Sequence, residues 1–443
     1  MTVKPSCPLQ QQGLFARLAC NMTFIIFLLC SPSAFAQQEL QIHHINVENG
    51  DATMICIYDK PLHKYLTSVL IDGGKPAADS LLLPYLTTIT GNATPHFNYV
   101  ILTHYHNDHY TGLLALGKGK ITADSLVDPG AYDFHALFPN QSNLAAPAEE
   151  KPVSLKVAVQ WTSMIKKATS GHFLKGHTEA LVSFGTTNNS SLGHKLLIGT
   201  MGGLPVTLEC VAGWGNTLSG ETIVPDPRPE KDNANNFSLA FIVRCGEFRY
   251  FIGGDMGGSE ESYYIDQEDA LINYLTKDLP IVHSINGQVA ASGHSCGFKA
   301  DHHGSNYSNS DAFITSMHPA IVITSAGNDS GWHLPQVGFI AKVATLQPLS
   351  VNNRPGVSNQ GVYFTNLYDW GGTKNSLTEA TKKFANRPSI SFDYGNASGR
   401  KASYVVKIKP DHLTTESDFE VDRVDISHGV TFTALGSFMC HRK

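Results

Sequence analysis

Residues 103 to 109 read Thr-His-Tyr-His-Asn-Asp-His, so the six residues His104 to His109 carry three imidazoles and one carboxylate. The run Tyr99 to Leu102 before them is short and apolar, which places the cluster on a loop at the C-terminal end of a strand. Neutral imidazole nitrogen and carboxylate oxygen are the donors that zinc and related divalent ions accept. His104 and His106, two apart on extended chain, can grip one ion from the same side, while Asp108 and His109 follow around a turn and can reach a second. A solvated polar loop accounts for a lone histidine but not for this spacing behind an apolar strand.

Two further clusters fit the same site. Phe251-Ile252-Gly253-Gly254-Asp255 puts a carboxylate where an apolar strand ends, and such an aspartate can bridge two ions. Asp301-His302-His303-Gly304-Ser305 offers adjacent imidazoles, and strand alternation lets only one face the metals easily. His302 is expected as the ligand and His303 as a substrate or supporting contact.

At 443 residues the chain has room for one elaborated α/β domain or two moderate ones. Strand-like runs span Leu40 to Val47, Ala52 to Tyr58 and Ser68 to Ile71, and Ser80 to Thr88 has the leucine spacing of a helix. Between about 121 and 233 the pattern weakens into polar, Gly-rich and Asn-rich stretches, read as an elaborated insertion. Strands return at Ser238 to Arg244, Phe248 to Ile252, Ala320 to Thr324, Gly361 to Thr365 and Ser403 to Ile408. This succession fits a layered α/β fold with polar residues gathered at strand ends.

The combination of Thr103 to His109, Gly253-Gly254-Asp255 and His302-His303-Gly304-Ser305 resembles the metallo-β-lactamase superfamily. Its details are similar to the branch containing the hydrolase domain of ComEC-type DNA-uptake competence proteins. Ile45 to Ala52 is similar to that branch's opening "DVGQGDA", Leu70 to Gly74 to "IDGG", and Asn235 to Leu239 to "NNxSL". Ser325-Ala326-Gly327 and His333-Leu334-Pro335 match "SxG…HP", with Leu334 intervening.

The resemblance covers roughly residues 40 to 370 and implies an α/β, αββα four-layer sandwich carrying the insertion. It implies one or two divalent ions, zinc or else manganese, on His104, His106, Asp108, His109, Asp255 and His302, with Asp72 supporting from beneath. Catalytic work would fall to Asp108, His303 and His333, and substrate or supporting contacts to Asn236 and Ser305. Many superfamily members carry another histidine ligand before the bridging aspartate. Here His135, His172, His177 and His194 lie in that interval without a motif, so one ion is held loosely, or Asn236 or water fills the gap.

Residues 1–36 read as a cleavable leader: Lys4 and Arg17 precede the apolar run Met22 to Cys30, and Ser33-Ala34-Phe35-Ala36 closes it. The expected organisation is that leader, a hydrolase domain over 37–373, and a segment 374–443 that is either an extension or closing strands. The mature chain would be periplasmic or secreted, without a membrane span. Losing Lys4 and Arg17 moves the formal charge from −6 to −8, which argues against a dedicated duplex-DNA-binding surface. Cys56, Cys210 and Cys245 lie in apolar runs and read as small buried hydrophobes. The expected function is metal-dependent hydrolysis of a phosphodiester or small-molecule phosphoric ester. The alternatives are hydrolysis of a cyclic amide or ester, and a non-catalytic metal-binding protein of the same fold.

Overall fold

The computed structural model describes residues 38–75, 80–129, 181–183, 192–213, 215–219, 222–224, 234–259, 264–276, 281–285, 288–293, 295–327, 331–345, 360–368, 375–387, 390–394, 402–410 and 416–441. The expected leader, His135, His172 and His177 lie outside them, as does Tyr132, which with Tyr110 and Trp332 is an aromatic that could line a cleft but that the sequence reads more readily as packing.

Strands β1 (Gln38–His44), β2 (Thr53–Asp59) and β3 (Lys64–Ile71) are antiparallel neighbours. The same sheet continues in parallel through β4 (His96–Ile101), β5 (Thr122–Asp128) and β6 (Leu181–Ser183). A second sheet begins with antiparallel strands β7 (Lys195–Met201), β8 (Leu204–Gly213), β9 (Asn216–Ser219) and β10 (Thr222–Val224). Strand β11 (Ala240–Cys245) pairs β8 and forms a hairpin with β12 (Phe248–Ile252). After a separate hairpin of β13 (Ile281–Ile285) and β14 (Gln288–Gly293), the second sheet runs on in parallel. Its remaining strands are β15 (Gly297–Lys299), β16 (Ile321–Thr324), β17 (Gln360–Phe364) and β18 (Ile390–Asp393). The chain then returns to the first sheet, where β19 (Ser403–Ile408) lies antiparallel to β1 and carries β20 (Glu416–Asp425) and β21 (Thr431–His441) outward.

Residue alternation explains why both sheets are buried on two faces. In β1, Leu40 and Ile42 enter a core shared with Phe241, Val243 and Cys245 of β11, so the two sheets face each other across it. The opposite face of the first sheet, including Met54 and Cys56, is covered by α1 (Leu82–Thr90) and α2 (Asn107–Leu116). The outer face of the second sheet, including Ile242 and Phe251, packs on α3 (Glu268–Leu275), α4 (Asp311–Met317), α5 (Val337–Thr345) and α6 (Ser376–Phe384). The layer order is therefore helix, sheet, sheet, helix: the αββα sandwich. Polar residues on the outer face of β1 are buried by pairing. His43 donates through Nε2 to Gln41 Oε1 and accepts from the Tyr85 hydroxyl at Nδ1, and burial drives its pKa down to about 3.

Part of the stretch expected as an insertion is sheet. Strand β5 sits inside the first sheet, and β8 pairs with β11 in the second. Residues beyond 374 supply α6 and strands of both sheets, β18 to β21. Cys56, Cys210 and Cys245 are buried and free.

Helix α2 starts within the histidine cluster, and its backbone lies against the turn after β3. Gly112 N–H donates to Gly74 O at 2.9 Å, and a β-carbon on Gly112 would collide with the Gly73 carbonyl. Because that obstacle is backbone rather than a flexible side chain, Gly112→Ala is expected to destabilise the fold by about 2–3 kcal/mol. Equilibrium urea unfolding measures this, and a change under roughly 0.5 kcal/mol would mean the turn yields freely.

Candidate metal centre

The parallel halves of the two sheets deliver their C-terminal ends to one edge. Asp72 follows β3, His104 and His106 follow β4, Asp255 follows β12, and His302 and His303 follow β15. Polar side chains collect where strands stop because the interior of each sheet is apolar on both faces.

Asp72 organises the first cluster from beneath. Its Oδ1 accepts the Thr103 N–H at 2.8 Å and its Oδ2 accepts the Thr103 hydroxyl at 2.7 Å. The same Oδ2 receives His109 Nδ1–H at 2.8 Å. With its proton committed to Asp72, Thr103 Oγ1 is left to accept from His104 Nδ1–H at 3.1 Å. His303 Nδ1 faces the Ser325 carbonyl at 3.0 Å, which can only accept, so that nitrogen also carries the proton. Three histidines are thus held in one tautomer and turn Nε2 toward a common point.

That point is the Asp255 carboxylate, which is 1% exposed. Its Oδ2 lies 3.3 Å from His109 Nε2, 3.3 Å from His303 Nε2, 3.7 Å from His104 Nε2 and 3.9 Å from His302 Nε2. Two donor groups with ligand atoms within 4.8 Å of one another share it: Asp51, His109, Asp255 and His303, and His104, His106 and Asp255. Asp108 stands beside them, with Oδ2 3.3 Å from His303 Nε2 and its side chain 23% exposed.

The donor set fits a divalent cation. Nε2 of His104, His109 and His303 and Oδ1 of Asp255 are buried without a hydrogen-bond partner, a condition that costs free energy unless a cation engages them. The electrostatics agree. Burial opposes charge on His109 and His303, yet neighbouring carboxylates, Asp255 foremost, outweigh it and raise both imidazoles well above their ordinary pKa. Burial, reinforced by His109, pushes His104 well below its ordinary value. Burial likewise disfavours charge on Asp108, but His109 and His303 outweigh it and hold the carboxyl far below the usual range.

The structure differs from the strand-alternation expectation at the second cluster. Strand β15 ends at Lys299, and His302 and His303 follow on a left-handed turn with φ 47° and 54°. Alternation does not apply there, and His303 is the imidazole that enters a donor group. His302 Nε2 faces Asn235 Nδ2 at 3.3 Å, and its ring stands beside Tyr264. Asn236 is buried, and its Oδ1 accepts the Ile265 N–H at 3.1 Å, tying down a loop rather than completing a donor group. Ser305 Oγ accepts the Tyr307 N–H within its turn. His333 is half-buried and belongs to neither donor group, Trp332 is exposed, and Tyr110, on α2 itself, packs into the core. His194 ends a loop where its carbonyl accepts the Cys210 N–H, and it joins no donor group. Asp51 and Asn235 were not expected at the site. Their signal lay in the runs Ile45 to Ala52 and Asn235 to Leu239, where a resemblance pointed to the fold and not to ligation.

No family model matches the sequence, and no curated protein matches it. Among solved structures, the chain is similar to the metallo-beta-lactamase fold protein YhfI from Bacillus subtilis, at 13% identity and a TM-score of 0.37, over 84% of this chain and 99% of that one. It is also similar to a point mutant of the CmlA beta-hydroxylase, at 10% identity and a TM-score of 0.31, over 64% of this chain and 45% of that one.

Asp72 belongs to neither donor group, yet it fixes the Nδ1 protons of two donors, directly on His109 and through Thr103 on His104. Asp72→Asn is expected to weaken zinc affinity about 10- to 100-fold while the fold persists. Competition with a chromophoric chelator measures the affinity and circular dichroism the fold; unchanged affinity would remove Asp72 from this role.

Proposed function

We propose that the chain is an exported, metal-dependent hydrolase that cleaves phosphodiester bonds. The observation that carries this reading is the convergence of three buried, unpartnered Nε2 atoms, from His104, His109 and His303, on the Asp255 carboxylate. The choice of a phosphodiester rests on the ComEC-type motifs at Ile45 to Ala52, Leu70 to Gly74, Asn235 to Leu239 and His302 to Ser305. Export rests on the leader at 1–36, and the disulfide bond at Cys296 is one that an oxidising compartment permits. No helix among the described residues is long and apolar enough to cross a membrane.

A bound zinc or manganese ion supplies Lewis acidity, polarising a phosphoryl oxygen and bringing the pKa of water down toward about 7. His104, His106, His109, His303, Asp51 and Asp255 would hold one or two such ions. Asp108 would orient the attacking water by accepting its hydrogen bond, because among the site carboxylates it is open to solvent while Asp255 is 2% exposed at its side chain. Asp72 keeps His109 and, through Thr103, His104 in the binding tautomer.

The test is hydrolysis of bis-p-nitrophenyl phosphate beside a chromogenic cephalosporin, with added zinc or manganese and with chelator. Chelator-sensitive phosphodiester turnover that is lost in Asp108→Ala is the expected result. Turnover of the cephalosporin alone would move the chain to the lactam class, and a metal-loaded protein inert toward both would sink the phosphodiesterase reading.

A further inference from the structure

Strand β15 reads Gly-Phe-Lys and lies in the middle of the second sheet, where Lys299 registers against Ile252 on one side and Ile323 on the other. Phe298 points outward to the helices, so Lys299 points between the sheets, where it is 1% exposed. Burying an ammonium in such surroundings costs several kcal/mol unless its partners are well placed, and an aliphatic side chain would serve a core position better. The partners lie at the edge where the donors meet. Lys299 Nζ stands 2.5 Å from Asp51 Oδ2 and donates to the Gly254 carbonyl at 3.0 Å.

Those two contacts join different parts of the molecule. Asp51 belongs to the loop between β1 and β2 in the first sheet, and its N–H donates to the Asp108 carbonyl at 3.3 Å. Gly254 belongs to the turn after β12 in the second sheet, immediately before Asp255, and its carbonyl also receives the His302 N–H at 3.0 Å. The other Asp51 oxygen lies 3.6 Å from His303 Nδ1.

We infer that Lys299 is a positioning residue of the metal centre, a cross-sheet clamp that fixes the Asp51 carboxylate against the turn carrying Asp255 so that both carboxylates meet the imidazoles in register. The role rests on the metal-centre reading above. The clamp also offsets part of the negative charge around the donors without occupying any of the imidazole Nε2 atoms.

The experiment uses the mature chain as wild type, Lys299→Met, Asp51→Asn and the double variant. Zinc affinity is read by chelator competition, the visible spectrum with cobalt(II), and thermal melting without metal. Lys299→Met keeps the aliphatic stem and is expected to weaken zinc binding at least about tenfold and to alter the cobalt spectrum. The double variant is expected to bind no more weakly than the weaker single variant, because the two side chains act as one unit. If Lys299 only staples the fold, Lys299→Met melts earlier yet binds zinc with wild-type affinity and spectrum, and the role is overturned. Should Lys299→Met fail to fold, Lys299→Gln decides, since it keeps a hydrogen-bond donor beside Asp51 but no ammonium and leaves every donor in place: tenfold weaker zinc binding supports the clamp, and wild-type affinity overturns it. Wild-type protein that takes up neither zinc nor cobalt would sink the metal-centre reading itself, an outcome distinct from a wild type that binds and a Lys299→Met that binds equally well.

Discussion

Asp255→Asn is expected to empty the metal centre while leaving the fold in place. The carboxamide has nearly the shape of the carboxylate, so no cavity opens, but the negative charge that four imidazoles approach within 3.3 to 3.9 Å is gone. Asp255 is shared by both donor groups, so its loss weakens both together, unlike loss of a donor belonging to one. It is also the foremost carboxylate holding His109 and His303 above their ordinary pKa, so both should titrate lower in the variant. We expect bound metal to fall to under about a tenth of wild type and phosphodiester turnover to drop by at least about 10³-fold. Elemental analysis after dialysis, initial rates and near-ultraviolet circular dichroism measure the three quantities. A variant that keeps its metal and its turnover would remove Asp255 from the bridging position.

Much of this centre could be read from local sequence because its donors come in short runs at strand ends. Spacing alone brings His104, His106 and His109 together, since β4 stops at Ile101 and α2 begins at Asn107. Asp255 was legible for the same reason, at the end of the apolar strand β12. What could not be read depends on contacts between distant segments. Lys299 looks like one cation in an apolar strand until Asp51 and Gly254 are placed around it. Asn235 looks interchangeable with Asn236 until one faces His302 and the other Ile265. The sheet order was similarly hidden: β19 lies beside β1 although more than 350 residues separate Gln41 from Lys407. In the stretch from 121 to 233, β8 alternates Val206, Leu208 and Cys210 toward the inter-sheet core, but the polar and Gly-rich residues around it obscured the pattern.

The histidine pair gives the other large effect. A strand would present only one of two adjacent side chains to the centre, and that reasoning favoured His302. On the left-handed turn that the chain adopts, both rings approach Asp255, and the distinction passes to the rest of each imidazole's hydrogen bonding. His303 has Nδ1 fixed on the Ser325 carbonyl and its unpartnered Nε2 3.3 Å from both Asp255 and Asp108. His302 has Nε2 engaged by Asn235 and lies farther away, at 3.9 Å. His303→Ala is therefore expected to weaken zinc binding about 100-fold and to lower turnover at least as much. His302→Ala should stay within about fivefold of wild type in zinc affinity, a loss of roughly 1 kcal/mol. Titrating both variants with zinc in one competition assay separates the two. The reverse order would make His302 the ligand and His303 its support, and would require the turn to re-form around a bound ion with the Asn235 contact broken.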